Sequence, residues 1–217
     1  MELLYCTTPI LLFVVIAFSA PYVISPWQRS KVSRAWQQIT QHKEITASLM
    51  DKKRSVELNG EITGHKIKAE CRTIIIGGFE RFPVMQFRFP TWSHLTEISI
   101  ELKPKKTLSR LELKQRSLSG KLAAKLLNNE NAYTNTGDDS FDKRFLINGE
   151  NADFSAKALS NAAIRSELIN IRKSASITIV KNSSSIEYSA NGRETNSETF
   201  INLLMLLSRW ADEIDAI

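Results

Sequence analysis

Residues Leu3 to Trp27 carry no charged side chain, and this run constrains the chain more than any other. An α-helix rises about 1.5 Å per residue, so about 20 residues match a hydrocarbon layer about 30 Å thick. The densest part, Ile10 to Ile16, reads ILLFVVI and is followed by Ala17 and Phe18. Each central Leu, Ile, Val or Phe there favours insertion by about 0.3–0.6 kcal/mol. Pro21 and Pro26 fall near one end, where a helix can kink or stop at little cost. Tyr5, Tyr22 and Trp27 sit at the borders, where aromatic belts form. The sequence predicts a transmembrane anchor over 1–28 and a soluble domain over 29–217, divisible near 128–136.

Two other readings compete for the same run. A cleaved signal peptide would use Ala17-Phe18-Ser19, but Pro21 follows closely and Glu2 is the one charged side chain before the run. A buried helix of a soluble core would be shorter and more interrupted. Arg29, Lys31 and Arg34 come directly after the span, and nothing basic precedes it beyond the terminal amine. The positive-inside rule then puts the amino terminus outside and the body in the cytoplasm, single-pass in the plasma (inner) membrane. An extracytoplasmic ligand-binding domain on the same signal anchor is the opposite orientation.

Charge agrees with a membrane-proximal body. Lys and Arg outnumber Asp and Glu by 29 to 23, and the excess lies between Gln28 and Asn128. With Arg29, Lys31 and Arg34, the Lys52-Lys53-Arg54 cluster is a candidate contact for anionic headgroups, as is Lys103 to Lys106. A solvated charged face is the plain alternative. Cys6 and Cys71 are too far apart in pattern to pair, so no disulfide framework exists and a reducing compartment fits.

The pattern of the body predicts an α+β fold, an antiparallel meander packed with helices and closed by an amphipathic helix. Ser33 to Met50 reads as a helix, with Ala35, Ile39, His42, Thr46 and Leu49 at its spacing. Val56 and Leu58 start the strands, and Ile67, Ala69 and Cys71 alternate with Lys66, Lys68, Glu70 and Arg72. Ile74-Ile75-Ile76 leads to an expected hairpin turn at Gly77-Gly78, and Met85, Phe87 and Phe89 form a return strand. Ile98, Ile100 and Leu102 share a face, and Leu111 and Leu113 begin a fifth strand. Leu118 to Leu127 reads as a helix, and Phe141 to Ile147 as a strand. One broken or two short helices fall at 153–159 and 161–172, and two strands at 177–180 and 186–190. In the last helix Thr195 and Glu198 suggest a capping box, and Phe200, Leu203, Leu204, Leu207, Trp210, Ala211 and Ile214 make an apolar face.

Chemistry-bearing motifs are sparse. Asp138, Asp139 and Asp142 form the one acidic cluster worth weighing for a divalent cation, but their spacing is not that of a calcium loop. Ser140 with Lys143 spells Ser-x-x-Lys without the motifs that accompany it in acyl transfer. The structural alternative has Gly137 permitting a turn, the aspartates satisfying loop amides, Lys143 and Arg144 pairing with the acids, and Phe141 and Phe145 anchoring a strand. His42, His65 and His94 lack partners at coordinating spacing. Phe82, Phe87 and Phe89 lie among basic residues but on the expected core face, which disfavours a nucleic-acid platform.

The order Gly137-Asp138-x-x-Phe141-Asp142-x-x-Phe145, followed by an extended run, a helix pair, a hairpin and a closing helix, resembles a family of bacterial single-span membrane-anchored proteins with a domain of unknown function. That resemblance implies a bacterial plasma-membrane location and transfers no catalytic residue. The expectation is a membrane-tethered, non-enzymatic adaptor, with the bilayer held through residues 3–27 and a membrane-protein partner. It involves no cofactor and no nucleic acid. A metal-dependent enzyme or ligand-binding domain using Asp138, Asp139 and Asp142 is the alternative.

Overall fold

The computed structural model describes residues 30–52, 55–81, 88–106, 109–115, 135–171, 175–180 and 184–217. The expected anchor over 1–28 and the expected helix at 118–127 lie outside these residues. Among the described residues, no helix is long and apolar enough to cross a membrane.

The fold is α+β. Helix α1 (30–39) is followed by β1 (Ile45–Asp51), β2 (Ser55–Ile62), β3 (His65–Arg81), β4 (Arg88–Lys103) and β5 (Leu111–Gln115). Then come α2 (Asp139–Arg144), β6 (Phe145–Gly149), α3 (Ala152–Ala158), α4 (Ala162–Ile169), β7 (Ala175–Val180), β8 (Ser185–Asn191) and α5 (Ser197–Asp215). The strands form one eight-stranded sheet in the order β1-β2-β3-β4-β8-β7-β5-β6, and every pairing is antiparallel.

Period-two alternation sorts the sheet into a dry and a wet side. One inward row crosses all eight strands: Leu49, Leu58, Ala69, Ile100, Tyr188, Ile177, Leu113 and Ile147. The next residues on each strand make an outward row of Ser48, Asn59, Lys68, Glu101, Glu187, Thr178, Glu112 and Asn148. The inward row packs under the helices, where Trp36, Phe200, Leu204, Leu207, Trp210 and Ile214 are all buried. Fully burying a side chain of that size is worth roughly 1.5–3 kcal/mol. Trp36 stacks on Phe200 at 4.6 Å between centroids, which fixes α1 to α5.

Five expectations need correction. Residues 45–51 are a strand, not the end of a helix: the turn after α1 closes with Ile45 N–H on the His42 carbonyl, and β2 then pairs with all seven residues. Gly77-Gly78 is no turn, because β3 runs through it to Arg81 in register with Thr91 and Trp92. The fifth strand leaves the meander: β8 takes the place beside β4, and β5 lies beyond β7. Residues 139–144 are helical, because Asp138 caps them, and the strand starts at Phe145. The cap of α5 is Asn196, whose side chain accepts from Thr199 N–H, so Thr195 and Glu198 make no capping box.

The antiparallel strands, the wet face of β3, the buried Cys71, the final hairpin and the apolar face of α5 stand as expected.

Candidate functional site

The acidic loop folds around its own needs. Gly137 adopts φ +76°, a left-handed conformation that glycine takes without strain, and this delivers Asp138 to the start of α2. The Asp138 Oδ1 accepts from Ser140 N–H at 3.1 Å and Phe141 N–H at 3.2 Å, and Oδ2 lies 3.3 Å from Arg165 Nε. The Phe141 amide above all, then Arg165 and the Ser140 amide, hold the Asp138 carboxyl below the usual carboxylate range. Asp142 accepts from Thr136 N–H and Thr136 Oγ1. Asp139 points to solvent with Lys143 Nζ at 3.4 Å. Each carboxylate faces a different partner. Among the described residues no group of three His, Cys, Asp or Glu is placed to hold a metal ion.

The companions of the loop divide in the same way. Lys143 pairs with an acid as expected, but Arg144 does not: its Nη2 donates to the Ile171 carbonyl at 2.6 Å, tying α2 to the end of α4. Ser140 is exposed, and its neighbour Lys143 lies 3.4 Å from Asp139. Phe141 and Phe145 are buried against each other with centroids 4.8 Å apart.

A second polar cluster escaped the sequence reading. His65 is completely buried, with Nε2 at 2.8 Å from Asp212 Oδ1 and Nδ1 at 3.9 Å from Asp215 Oδ2. Asp215 accepts the backbone N–H groups of Lys105 and Lys106 at 2.9 and 3.0 Å. Beside it the Thr63 and Ser208 hydroxyls bond each other. The signal was in the parity: His65 shares the inward phase of Ile67, Ala69 and Cys71, and Ser208, Asp212 and Asp215 recur at helical spacing on α5. A His–Asp pair is a component of acid–base sites, but this ring is closed to solvent and the serine bonds elsewhere. Its role is to clasp the end of α5 to the β2–β3 turn and to the chain leaving β4.

Of the headgroup candidates, Lys31 and Arg34 lie exposed on α1, and Lys52 is bound to Glu57 with Nζ 2.6 Å from the carboxylate. That bond holds the Glu57 carboxyl below its ordinary value. Arg29, Lys53 and Arg54 lie outside the described residues.

Three surface features remain. The wet face has a depression of about 380 Å3 lined by Lys68, Glu70, Glu97, Glu101 and Glu187, but Glu97 is taken by Arg72 and Glu101 lies near Lys103. A groove of about 450 Å3 runs between α4 and α5 over Leu203, Leu206 and Ile171. The third is the extension of β3 and β4. β2 reaches along β3 as far as Arg72, and β8 along β4 as far as Glu97. Nine further residue pairs, Thr73 with Thr96 up to Arg81 with Arg88, continue as a two-stranded ribbon about 30 Å long. Among the described residues this ribbon has no flanking strand, and Gly192 N–H on the Thr96 carbonyl is its one backbone bond to the sheet beyond β3 and β4. Set against family models, curated proteins and solved structures, the chain matches none.

Proposed function

We propose that the chain is a membrane-tethered, non-enzymatic assembly protein with its α+β domain on the cytoplasmic side of the plasma membrane. The ribbon is the observation that carries the assembly role. Its sequence, TIIIGGFER returning as RFPTWSHLT, is rich in apolar and aromatic residues. A two-stranded hairpin alone is marginal in water, so a stretch of this composition is stabilised by something laid against it. A membrane-protein partner of the same bilayer supplies such a surface. The tether rests on the uncharged run over 3–27, and Arg29, Lys31 and Arg34 set its direction.

The metal-dependent alternative has no comparable support, because Asp138, Asp139 and Asp142 are each engaged separately.

Two measurements test the proposal. After alkaline carbonate washing of membranes, the full chain is expected in the pellet, and protease added to intact spheroplasts should leave the body undigested. Digestion from outside would reverse the orientation. In the second test, Asn-Gly replaces residues 75–94, so that Ile74 and Leu95 close a two-residue hairpin. The shortened chain is expected to melt as the native one does and to lose the partner recovered from gently solubilised membranes. A partner retained, or none recovered with the native chain, would refute the ribbon's role.

A further inference from the structure

The wet face of the sheet is not uniform along its strands. Glu70, Glu97, Glu101 and Glu187 line the depression along β3, β4 and β8, whereas lysine collects where β3 begins and β4 ends. Lys66 faces Lys103 directly across that pair, an arrangement of like charges that weakens a sheet. Two residues on, Lys105 and Lys106 extend the same corner, and all four lysines are exposed.

The corner is also held in place. Asp215, at the end of α5, accepts the Lys105 N–H at 2.9 Å and the Lys106 N–H at 3.0 Å, and Pro104 is buried. This fixes the main chain while both lysine side chains stay exposed. Gly64, at φ +87°, leaves room over the β2–β3 turn for Lys105 Nζ, 3.6 Å from where a Cβ would stand. Of the nearby acids, Glu101 lies 3.7 Å from Lys103, and Glu61 stands across from Lys66 on β2. Lys66, Lys105 and Lys106 are in no ion pair among the described residues.

Charge and chain length say what meets this corner. Gln28 and Arg29 alone separate the uncharged run ending at Trp27 from α1 at Ser30. Such a link spans about 10 Å at most, too little to hold the body clear of a bilayer. Trp36 stacks on Phe200 and Gln38 Oε1 accepts from Ser197 Oγ, so α1 runs counter to α5 and starts toward the end that holds Asp215.

We propose that the corner of Lys66, Lys103, Lys105 and Lys106 rests on anionic phospholipid headgroups of the leaflet that the tether enters. The orientation rests on the tether of the proposed function. Headgroups of the same sign repel the glutamates of the wet face, so the sheet does not lie flat but is raised on its lysine end. The ribbon leaves from the opposite ends of the same two strands. At about 3.3 Å per residue, β3 covers roughly 50 Å from Lys66 to Arg81, and the ribbon tip stands up to that far from the lipid. The partner it meets there is the water-exposed part of a membrane protein, not its span.

The test uses the full chain in phosphatidylcholine vesicles, with and without phosphatidylglycerol. A water-soluble acylating reagent followed by mass spectrometry reads the reactivity of each lysine. With phosphatidylglycerol, Lys66, Lys105 and Lys106 are expected to react about threefold more slowly, and high salt should erase the difference. Lys143, exposed on α2 at the other end of the sheet, should react at the same rate in both lipids. Inorganic phosphate added to the phosphatidylcholine vesicles should protect none of them. In a Cys6→Ser background that leaves the buried Cys71 in place, a dye on Lys68→Cys should transfer energy to a headgroup acceptor more strongly than one on Arg81→Cys. Equal rates in the two lipids, protection by free phosphate, or equal transfer from the two dyes would each overturn the inference. Carbonate extraction of the same vesicles separates the two readings. A chain that stays with the lipid but shows equal rates fails the lysine contact alone, and a chain that is released fails the tether.

Discussion

Over β1–β4 the inner face is covered by α1 and by the 19 residues of α5, whereas toward β6 it is covered by α2, α3 and α4, none longer than eight residues. The first roof is held by area. Trp36, Ile39, Phe200, Leu204 and Leu207 bury apolar surface against strand side chains, and no single polar bond decides it. The second roof is held by direction. Helices shorter than about 12–15 residues are marginal on their own, and each of these three carries an Asx cap: Asp138, Asn151 and Asn161. Each is then strapped by a side chain on a main-chain carbonyl. Arg144 reaches Ile171, Arg165 reaches Leu159 and Ser160, and Trp210 Nε1 on α5 reaches Ala158 at 2.7 Å. Where a helix is too short to offer area, the sequence supplies bonds.

Substitutions can break this contrast, and the largest effect belongs to the apolar roof. Trp36→Ala removes the stacking partner of Phe200 and should cost about 3–5 kcal/mol in denaturant unfolding. Arg165→Ala removes the donor to the Leu159 and Ser160 carbonyls and the partner of Asp138 Oδ2, and about 2–3 kcal/mol is expected, with faster proteolysis near Leu159. Trp210→Phe keeps an aromatic side chain but loses the pyrrole part of the indole and orphans the Ala158 carbonyl, for about 1–3 kcal/mol. Asn161→Ala, a lost cap, should cost about 1 kcal/mol. If Trp36→Ala proved milder than Asn161→Ala, the division between area and direction would be wrong.

The smallest effect is a pH dependence. Asp138 is depressed in the folded state, so its stabilisation is complete above about pH 4 and is lost as pH falls through the lowered folded-state value. Asp138→Asn should flatten that part of the stability curve by lowering stability above about pH 4, where the carboxylate's bonds to the amides and to Arg165 are complete. Thermal melts between about pH 2 and 6 would read this out.

How much of this was legible in the sequence follows the same divide. Area is written in periodicity: the apolar face of α5 and the alternation of β3 and β4 could be read because each repeats over many residues. Direction is written in single residues whose partners lie far off. Nothing local says that Arg144 will meet Ile171 instead of an acid, or that Asp138 will start a helix where Phe141 and Phe145 suggest a strand. β1 was misread because His42, Thr46 and Leu49 also fit a helical stripe, and the pairing with β2 decided the matter. The order of the sheet was hidden for another reason. β8 enters beside β4 from the far end of the chain, and no local pattern encodes that insertion.

That insertion sets a timetable for synthesis. At about 5–20 residues per second, a ribosome takes roughly 4 to 18 s to go from Lys103 to Asn191. Throughout that interval the flank of β4 that will receive β8 stays open, and Trp36 waits for Phe200. The nascent chain must survive half-built until its last helix emerges. A message cut short soon after Lys103 would yield four strands with neither β8 beside β4 nor α5 above them, fit for degradation rather than for residual activity.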